Sequence, residues 1–129
     1  MSEPRRVIAP QLPAPVGPYS PAIAWNRLVF VSGQGAVDPS TGALVGTDIE
    51  SQTERCLLNV KSILEAAGSG LPHVLRCGVF LTDMAEFPRM NGVYARMFGE
   101  HRPARTTVEV SSLPLEGLRV EIDAVAYIP

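Results

Sequence analysis

Residues 118–128 alternate between two kinds of side chain, a pattern typical of a β-strand with two unlike faces. Successive side chains of a strand point to opposite sides of the sheet. One side is apolar and comprises Leu118, Val120, Ile122, Ala124, Ala126 and Ile128. The other is mixed and comprises Arg119, Glu121, Asp123, Val125 and Tyr127. The chain must therefore form a sheet with one face against a core and a second face of different character.

Two helical segments are predicted to cover the apolar face. The first begins at Thr47-Asp48-Ile49-Glu50, which matches a capping box, and stops at Gly68. Between these points the apolar residues recur with the helical period. The second helix is predicted over about 88–99, with Asp83 and Glu86 as its cap. On that helix Phe87, Asn91, Tyr94 and Phe98 share one face.

Four strands are predicted, at 27–32, 74–82, 105–111 and 118–128, the first of them buried on both faces. Six prolines within the first 21 residues exclude a long helix there and leave an extended or loop segment. This order predicts an α+β fold: one mixed sheet with both helices on one face, in a single domain over residues 1–129. The uncovered face is expected to pack on another subunit.

The composition excludes several functional classes. A net charge of −2 and a single lysine, Lys61, argue against binding to nucleic acid. No apolar run is long enough for a membrane span, and no apolar segment follows the arginines near the N-terminus as in a secretory signal. A cytoplasmic location is therefore expected, with Cys56 and Cys77 as buried free thiols. His73 and His101 lack neighbouring ligands at useful spacing, so no metal site is expected.

Several polar residues lie where chemistry could occur, although each has an ordinary alternative. Arg105, at the head of the strand PARTTVEV, is either a solvated strand end or a clamp for an anion. Asn91 shares a face with aromatic residues, and a loop backbone could satisfy its amide. Glu121 could be an exposed strand carboxylate, Ser32 a turn residue, and Tyr19 a ring packed over the mouth of a barrel.

Five segments occur in order along the chain: Gly17-Pro18-Tyr19-Ser20-Pro21-Ala22, Val31-Ser32-Gly33-Gln34, the helix with Met90, Asn91, Tyr94 and Phe98, Pro103-Ala104-Arg105-Thr106, and Leu113-Pro114 leading into Val120-Glu121-Ile122. Taken together and in this order, these segments resemble the RidA, or YjgF, family of reactive-intermediate deaminases. The resemblance extends from about residue 7 to residue 127.

The resemblance implies a chorismate-mutase-like α+β subunit that assembles as a barrel-cored homotrimer, with active sites between neighbouring subunits. It also implies hydrolysis of enamine and imine intermediates, such as 2-aminoacrylate from pyridoxal-phosphate enzymes, to 2-keto acids and ammonia. This is the activity of a 2-iminobutanoate/2-iminopropanoate deaminase, and it needs no cofactor. The alternative is a member of the same family that binds small molecules without catalysis or acts as a chaperone or ribonuclease.

By the same resemblance, Arg105, Glu121 and Tyr19 are catalytic, and Ser32, Gly33, Asn91 and Thr107 bind substrate. Arg105 would grip the substrate carboxylate through two hydrogen bonds. Glu121 would orient the attacking water and move protons. Thr107 departs from the pattern, since many family members have cysteine two residues after the arginine. This chain therefore keeps the arginine but lacks any function that a thiol at position 107 would have.

Overall fold

The computed structural model describes residues 3–8, 10–12 and 14–129, which contain a mixed β-sheet and two α-helices. Two one-turn 3₁₀ segments, Leu71–His73 and Met84–Glu86, precede the fourth strand and the second helix. The helices are α1, Ile49–Ala66, and α2, Phe87–Phe98. The strands are β1 (Arg5–Val7), β2 (Ala22–Trp25), β3 (Leu28–Gln34), β4 (Val74–Leu81), β5 (Ala104–Glu109) and β6 (Val120–Tyr127).

The described strands form one sheet in the order β1-β2-β3-β6-β4-β5. Every neighbouring pair is antiparallel except β4 and β5, which are parallel and are joined through α2. The last strand of the chain therefore lies between β3 and β4, in the interior of the sheet. The prediction of an α+β fold with a single mixed sheet and two helices is confirmed.

Strand β6 has the two faces that its alternation predicts. Val120, Ile122, Ala124 and Ala126 are buried, and α1 packs on β6, on β3 and on α2. The side chains between them lie on the opposite face, where no described element covers the sheet. The strand is shorter than predicted, because it runs from Val120 to Tyr127 and leaves residues 118, 119 and 128 outside it.

The prediction that the strand at 27–32 is buried on both faces is wrong. Val29 and Val31 are buried beneath the helices, but Phe30 between them is 44% exposed on the other face. Phe30 pairs with the half-buried Val125 of β6, so apolar side chains continue across this open face. The prediction followed from the apolar side chains on both faces of the strand. It fails because the helices of one chain cover only one of these faces.

Both predicted helix caps are displaced. Asp48, not Thr47, caps α1, because its Oδ1 accepts a 2.7 Å hydrogen bond from the Ser51 amide. Asp83 accepts a 2.9 Å hydrogen bond from the Ala85 amide and so caps the 3₁₀ turn rather than α2. Gly68, at a φ of +88°, ends α1 as predicted.

Other predictions are confirmed or extended by the structure. Cys56 and Cys77 are buried free thiols. The N-terminal segment includes strand β1, which pairs with β2, a short strand that was not predicted from the sequence. Residues 1, 2, 9 and 13 of that segment lie outside the described residues. Within the described part of the chain, neither helix combines the length and the apolar character needed to cross a membrane.

A buried glutamine on α1 fastens the loops at one end of the sheet. Gln52 Nε2 donates to the carbonyl oxygens of Gly46 and Gly117, at 3.2 and 2.9 Å, and its Oε1 accepts from the Arg119 amide at 2.7 Å. Its side chain is fully buried although it is polar. These three hydrogen bonds hold the turn before β6 against the start of α1.

We predict that Gln52→Leu, which keeps the side-chain volume, lowers the free energy of unfolding by about 2–3 kcal/mol, because buried backbone groups lose their partners. Lys61→Leu, on the exposed side of the same helix, should change it by less than about 0.5 kcal/mol. Chemical denaturation of both variants measures the difference. Equal effects of the two substitutions would mean that the buried hydrogen bonds do not matter.

Candidate active site

The end of β3 holds the loop that carries Tyr19. Ser32 Oγ donates a 2.7 Å hydrogen bond to the carbonyl oxygen of Ser20, and the Ser32 amide donates to that of Pro21 at 2.9 Å. A shift of register between Val31 and Gln34 interrupts the pairing of β3 with β6 at this point. Ser32 therefore links the proline-rich loop to the interrupted end of the strand.

Glu121 lies on the uncovered face of β6, directly against Gly33. A Cβ atom at position 33 would collide with the Glu121 carboxylate and would lie only 2.8 Å from its Cδ atom. Gly33 is therefore required by close approach, not by its own backbone conformation. The half-buried carboxylate of Glu121 lies beside the interrupted end of β3.

The surroundings of Glu121 favour its protonated form. Burial raises the pKa of this carboxyl above its ordinary value, and the negative charge of Asp123 raises it further. Asp123, two residues along the same face, is fixed by a 2.7 Å hydrogen bond from the Gly78 amide to its Oδ1 atom. Glu121 is thus suited to take up and release a proton.

A cavity of about 340 Å³ opens beside Tyr19, Gly33 and Glu121. The tyrosine is 45% exposed. Apolar side chains make up much of the remaining wall, including Val16, Pro39, Pro114, Leu115 and Leu118. We call Tyr19, Ser32, Gly33 and Glu121 the cavity group.

Arg105 lies on the other face of the sheet. It pairs with Cys77 across β4 and β5, and Thr107 pairs with Val79. Since Cys77 and Val79 are buried beneath the helices, Arg105 and Thr107 share that face with α2. The guanidinium carbon of Arg105 is 4.7 Å from the ring centroid of Tyr94 and 5.5 Å from that of Phe87. No carboxylate of the described residues forms an ion pair with it.

Asn91 lies on α2 between these two aromatic residues. Its Oδ1 atom and the Tyr94 Oη atom are buried and have no hydrogen-bond partner among the residues that the structure describes. Burial raises the pKa of the Tyr94 hydroxyl, and the neighbouring Cys77 thiol raises it further. We call Asn91, Arg105 and Thr107 the arginine group.

The seven predicted site residues therefore fall into two groups on opposite faces of the sheet. One chain brings the members of each group together but does not bring the two groups to each other. Neither Asp123 nor the stacking of Arg105 on α2 was predicted from the sequence. The spacing of Phe87, Asn91 and Tyr94 on one helical face was the available signal for the second of these.

Comparisons with known proteins identify the family. The family described as Endoribonuclease L-PSP matches residues 9–128. A RutC family protein of Pyrococcus horikoshii is 51% identical over 89% of this chain and 90% of its own length. The chloroplastic Reactive Intermediate Deaminase A of Arabidopsis thaliana is 42% identical over 88% of this chain and 60% of its own. The crystal structure of E. coli TdcF with bound serine has a TM-score of 0.88 and 35% identity, covering 95% of this chain and 98% of that one.

The fold and these relatives define a protein of the family described as Endoribonuclease L-PSP. The chain belongs to the RidA (YjgF) family. The family resemblance carried by the sequence motifs is thus confirmed, and it extends over nearly all of the chain.

We predict that the Glu121 carboxyl titrates above 4.5, its ordinary value, when followed by carbon NMR. In Asp123→Asn its pKa should fall but stay above 4.5, because burial is the larger cause. The folded state then holds this proton more tightly than the unfolded state, so the contribution of Glu121 to stability decreases as pH rises through this range. A pKa at or below 4.5 would contradict the described environment.

Proposed function

We propose that this protein hydrolyses 2-enamine and 2-imine carboxylates, such as 2-aminoacrylate, to 2-keto acids and ammonia. Two side chains support the proposal. Arg105 has no ionic partner among the described residues, and Glu121 is a half-buried carboxyl with a raised pKa. A relative named as a reactive-intermediate deaminase supports the same activity.

Arg105 is proposed to bind the substrate carboxylate. Its planar guanidinium can donate two parallel hydrogen bonds to a carboxylate, which a lysine cannot do. The bound serine in the E. coli TdcF structure supports an amino-acid carboxylate as the ligand class. Asn91 and the backbone of Thr107 would complete this end of the site.

Glu121 is proposed to manage the proton transfers. The enamine first tautomerises to the imine, and water then adds to the α-carbon as Glu121 accepts one of its protons. Delivery of that proton to the nitrogen gives a carbinolamine. When the hydroxyl proton of the carbinolamine also passes to the nitrogen through Glu121, the C=O bond forms as the C–N bond breaks, so ammonia leaves and a 2-keto acid remains. A carboxyl with a raised pKa is better matched to both transfers. Tyr19, Ser32 and Gly33 would hold the substrate nitrogen and the water.

The proposed site requires more than one copy of the chain. The cavity group and the arginine group lie on opposite faces of the sheet, so a complete site needs each group from a different subunit. The uncovered face, with Phe30 exposed and Val125 half-buried, supports packing of sheet against sheet. We propose a homotrimer with these faces at its barrel-shaped core, a site at each subunit interface and a cytoplasmic location.

The second candidate is a member that binds ligands or cleaves RNA. The description of the matching family as an endoribonuclease favours it. A net charge of −2 argues against RNA as the substrate. The two histidines also lie outside the cavity, with His101 Nε2 bonded to the Val74 carbonyl and His73 Nδ1 near the Tyr127 hydroxyl. Incubation with labelled RNA tests this candidate directly.

We predict that the protein accelerates 2-keto acid formation when it is added to a serine or threonine dehydratase. Arg105→Ala should reduce this effect about tenfold to a hundredfold, because charge-assisted hydrogen bonds to the carboxylate are lost. Arg96→Ala is the matched control, since Arg96 is a solvent-exposed α2 residue with only a 3.8 Å ion pair to Glu54. Acceleration that survives Arg105→Ala would refute the role of Arg105, and no acceleration by the unaltered protein would refute the activity.

A further inference from the structure

Among the residues that the structure describes, Arg105 is held by an aromatic surface rather than by a counter-ion. Its guanidinium carbon lies 4.7 Å from the centre of the Tyr94 ring, within the range of a cation–π interaction, and 5.5 Å from that of Phe87. Tyr94 is itself buried and packs on Phe98, with ring centres 4.8 Å apart. Phe98 in turn packs edge-on against His101, with ring centres 6.1 Å apart. The ring under Arg105 is therefore a fixed part of the core.

This support differs chemically from an ion pair. A glutamate or aspartate beside Arg105 would occupy the same N–H donors that a substrate carboxylate needs. A ring attracts the cation through its π face and accepts no strong hydrogen bond, so the donors at the edge of the guanidinium stay available. The ring also restricts a long flexible side chain, which lowers the entropy that is lost when a ligand binds.

We infer that Tyr94 is a positioning residue, whose ring holds the guanidinium of Arg105 in place to receive a carboxylate. Phe87 assists from the first turn of the same helix. The inference rests on the proposed function for the identity of the ligand, but the contact between Arg105 and the ring does not. The Tyr94 hydroxyl, which is buried without a partner among the described residues, has no part in this role.

The test separates the ring from the hydroxyl and from the packing of the core. Tyr94→Phe keeps the ring, Tyr94→Leu removes it, and Phe98→Leu removes a neighbouring ring that is not in contact with Arg105. Circular dichroism identifies variants that fail to fold. If Tyr94→Leu is one of them, Phe87→Leu, at the edge of the core, replaces it.

Two readouts are measured, the kinetics with a dehydratase-derived imine and the affinity for pyruvate by NMR titration. We expect Tyr94→Leu to raise KM, and the Kd for pyruvate, about threefold to thirtyfold. The value of kcat should change by less than about twofold, because water and Glu121 are untouched. Tyr94→Phe should behave like the unaltered protein, and Phe98→Leu should lower stability with little effect on KM.

A separate spectroscopic readout distinguishes failure of the inference from failure of the proposed function. The side-chain protons of Arg105 should be shifted upfield mainly by the Tyr94 ring, and Tyr94→Leu should reduce this shift to the smaller contribution of Phe87. If the unaltered protein has no deaminase activity, the proposed function fails, and the pyruvate titration alone decides the role of Tyr94. Unchanged pyruvate binding in Tyr94→Leu, or an equal defect in Tyr94→Phe, would overturn the inference.

Discussion

The packing of α1 against one face of β6 is the interaction on which the rest of the structure depends. Strand β6 is interior to the sheet, and Val120, Ile122, Ala124 and Ala126 are buried on its helical side. Because side chains alternate, burial of these residues fixes Glu121 and Asp123 on the other side. A slip of one residue would place two carboxylates in the core. The position of Glu121 against Gly33 is therefore a consequence of the core rather than of any local contact.

The same alternation explains why the candidate site is divided. Strand β5 is parallel to β4, and its register places Arg105 beside Cys77, on the helical side. Arg105, which has no ionic partner among the described residues, and Glu121, whose pKa is raised, would neutralise each other if they met in one chain. Within one chain the sheet keeps them apart, so they do not pair with each other without a second subunit. Under the proposal, a ligand joins them only where two subunits meet.

Much of this arrangement could be predicted from the sequence, because it follows from long periodic patterns. The alternation of 118–128 and the helical period after Asp48 indicated the sheet, the first helix and the uncovered face. Short-range features were less predictable: Asp48 rather than Thr47 caps α1, and the four-residue strand β2 carried too little pattern to be recognised. The motifs around Arg105 and Glu121 indicated the family. The stacking of Arg105 on Tyr94 and the contact of Glu121 with Gly33 depend on register between distant segments, which no local pattern contains.

The central claim is that a working site combines Arg105 of one chain with Glu121 of another, and mixed oligomers of two inactive variants test it most directly. Arg105→Ala and Glu121→Gln are purified separately, then unfolded and refolded together in equal amounts, and their trimeric mass is checked by light scattering. Random assembly into trimers with shared sites predicts recovery of about a quarter of the activity of the unaltered protein, which is well above the activity of either variant refolded alone. Mixed trimers that remain inactive, while the unaltered protein refolded in the same way is active, would contradict the account.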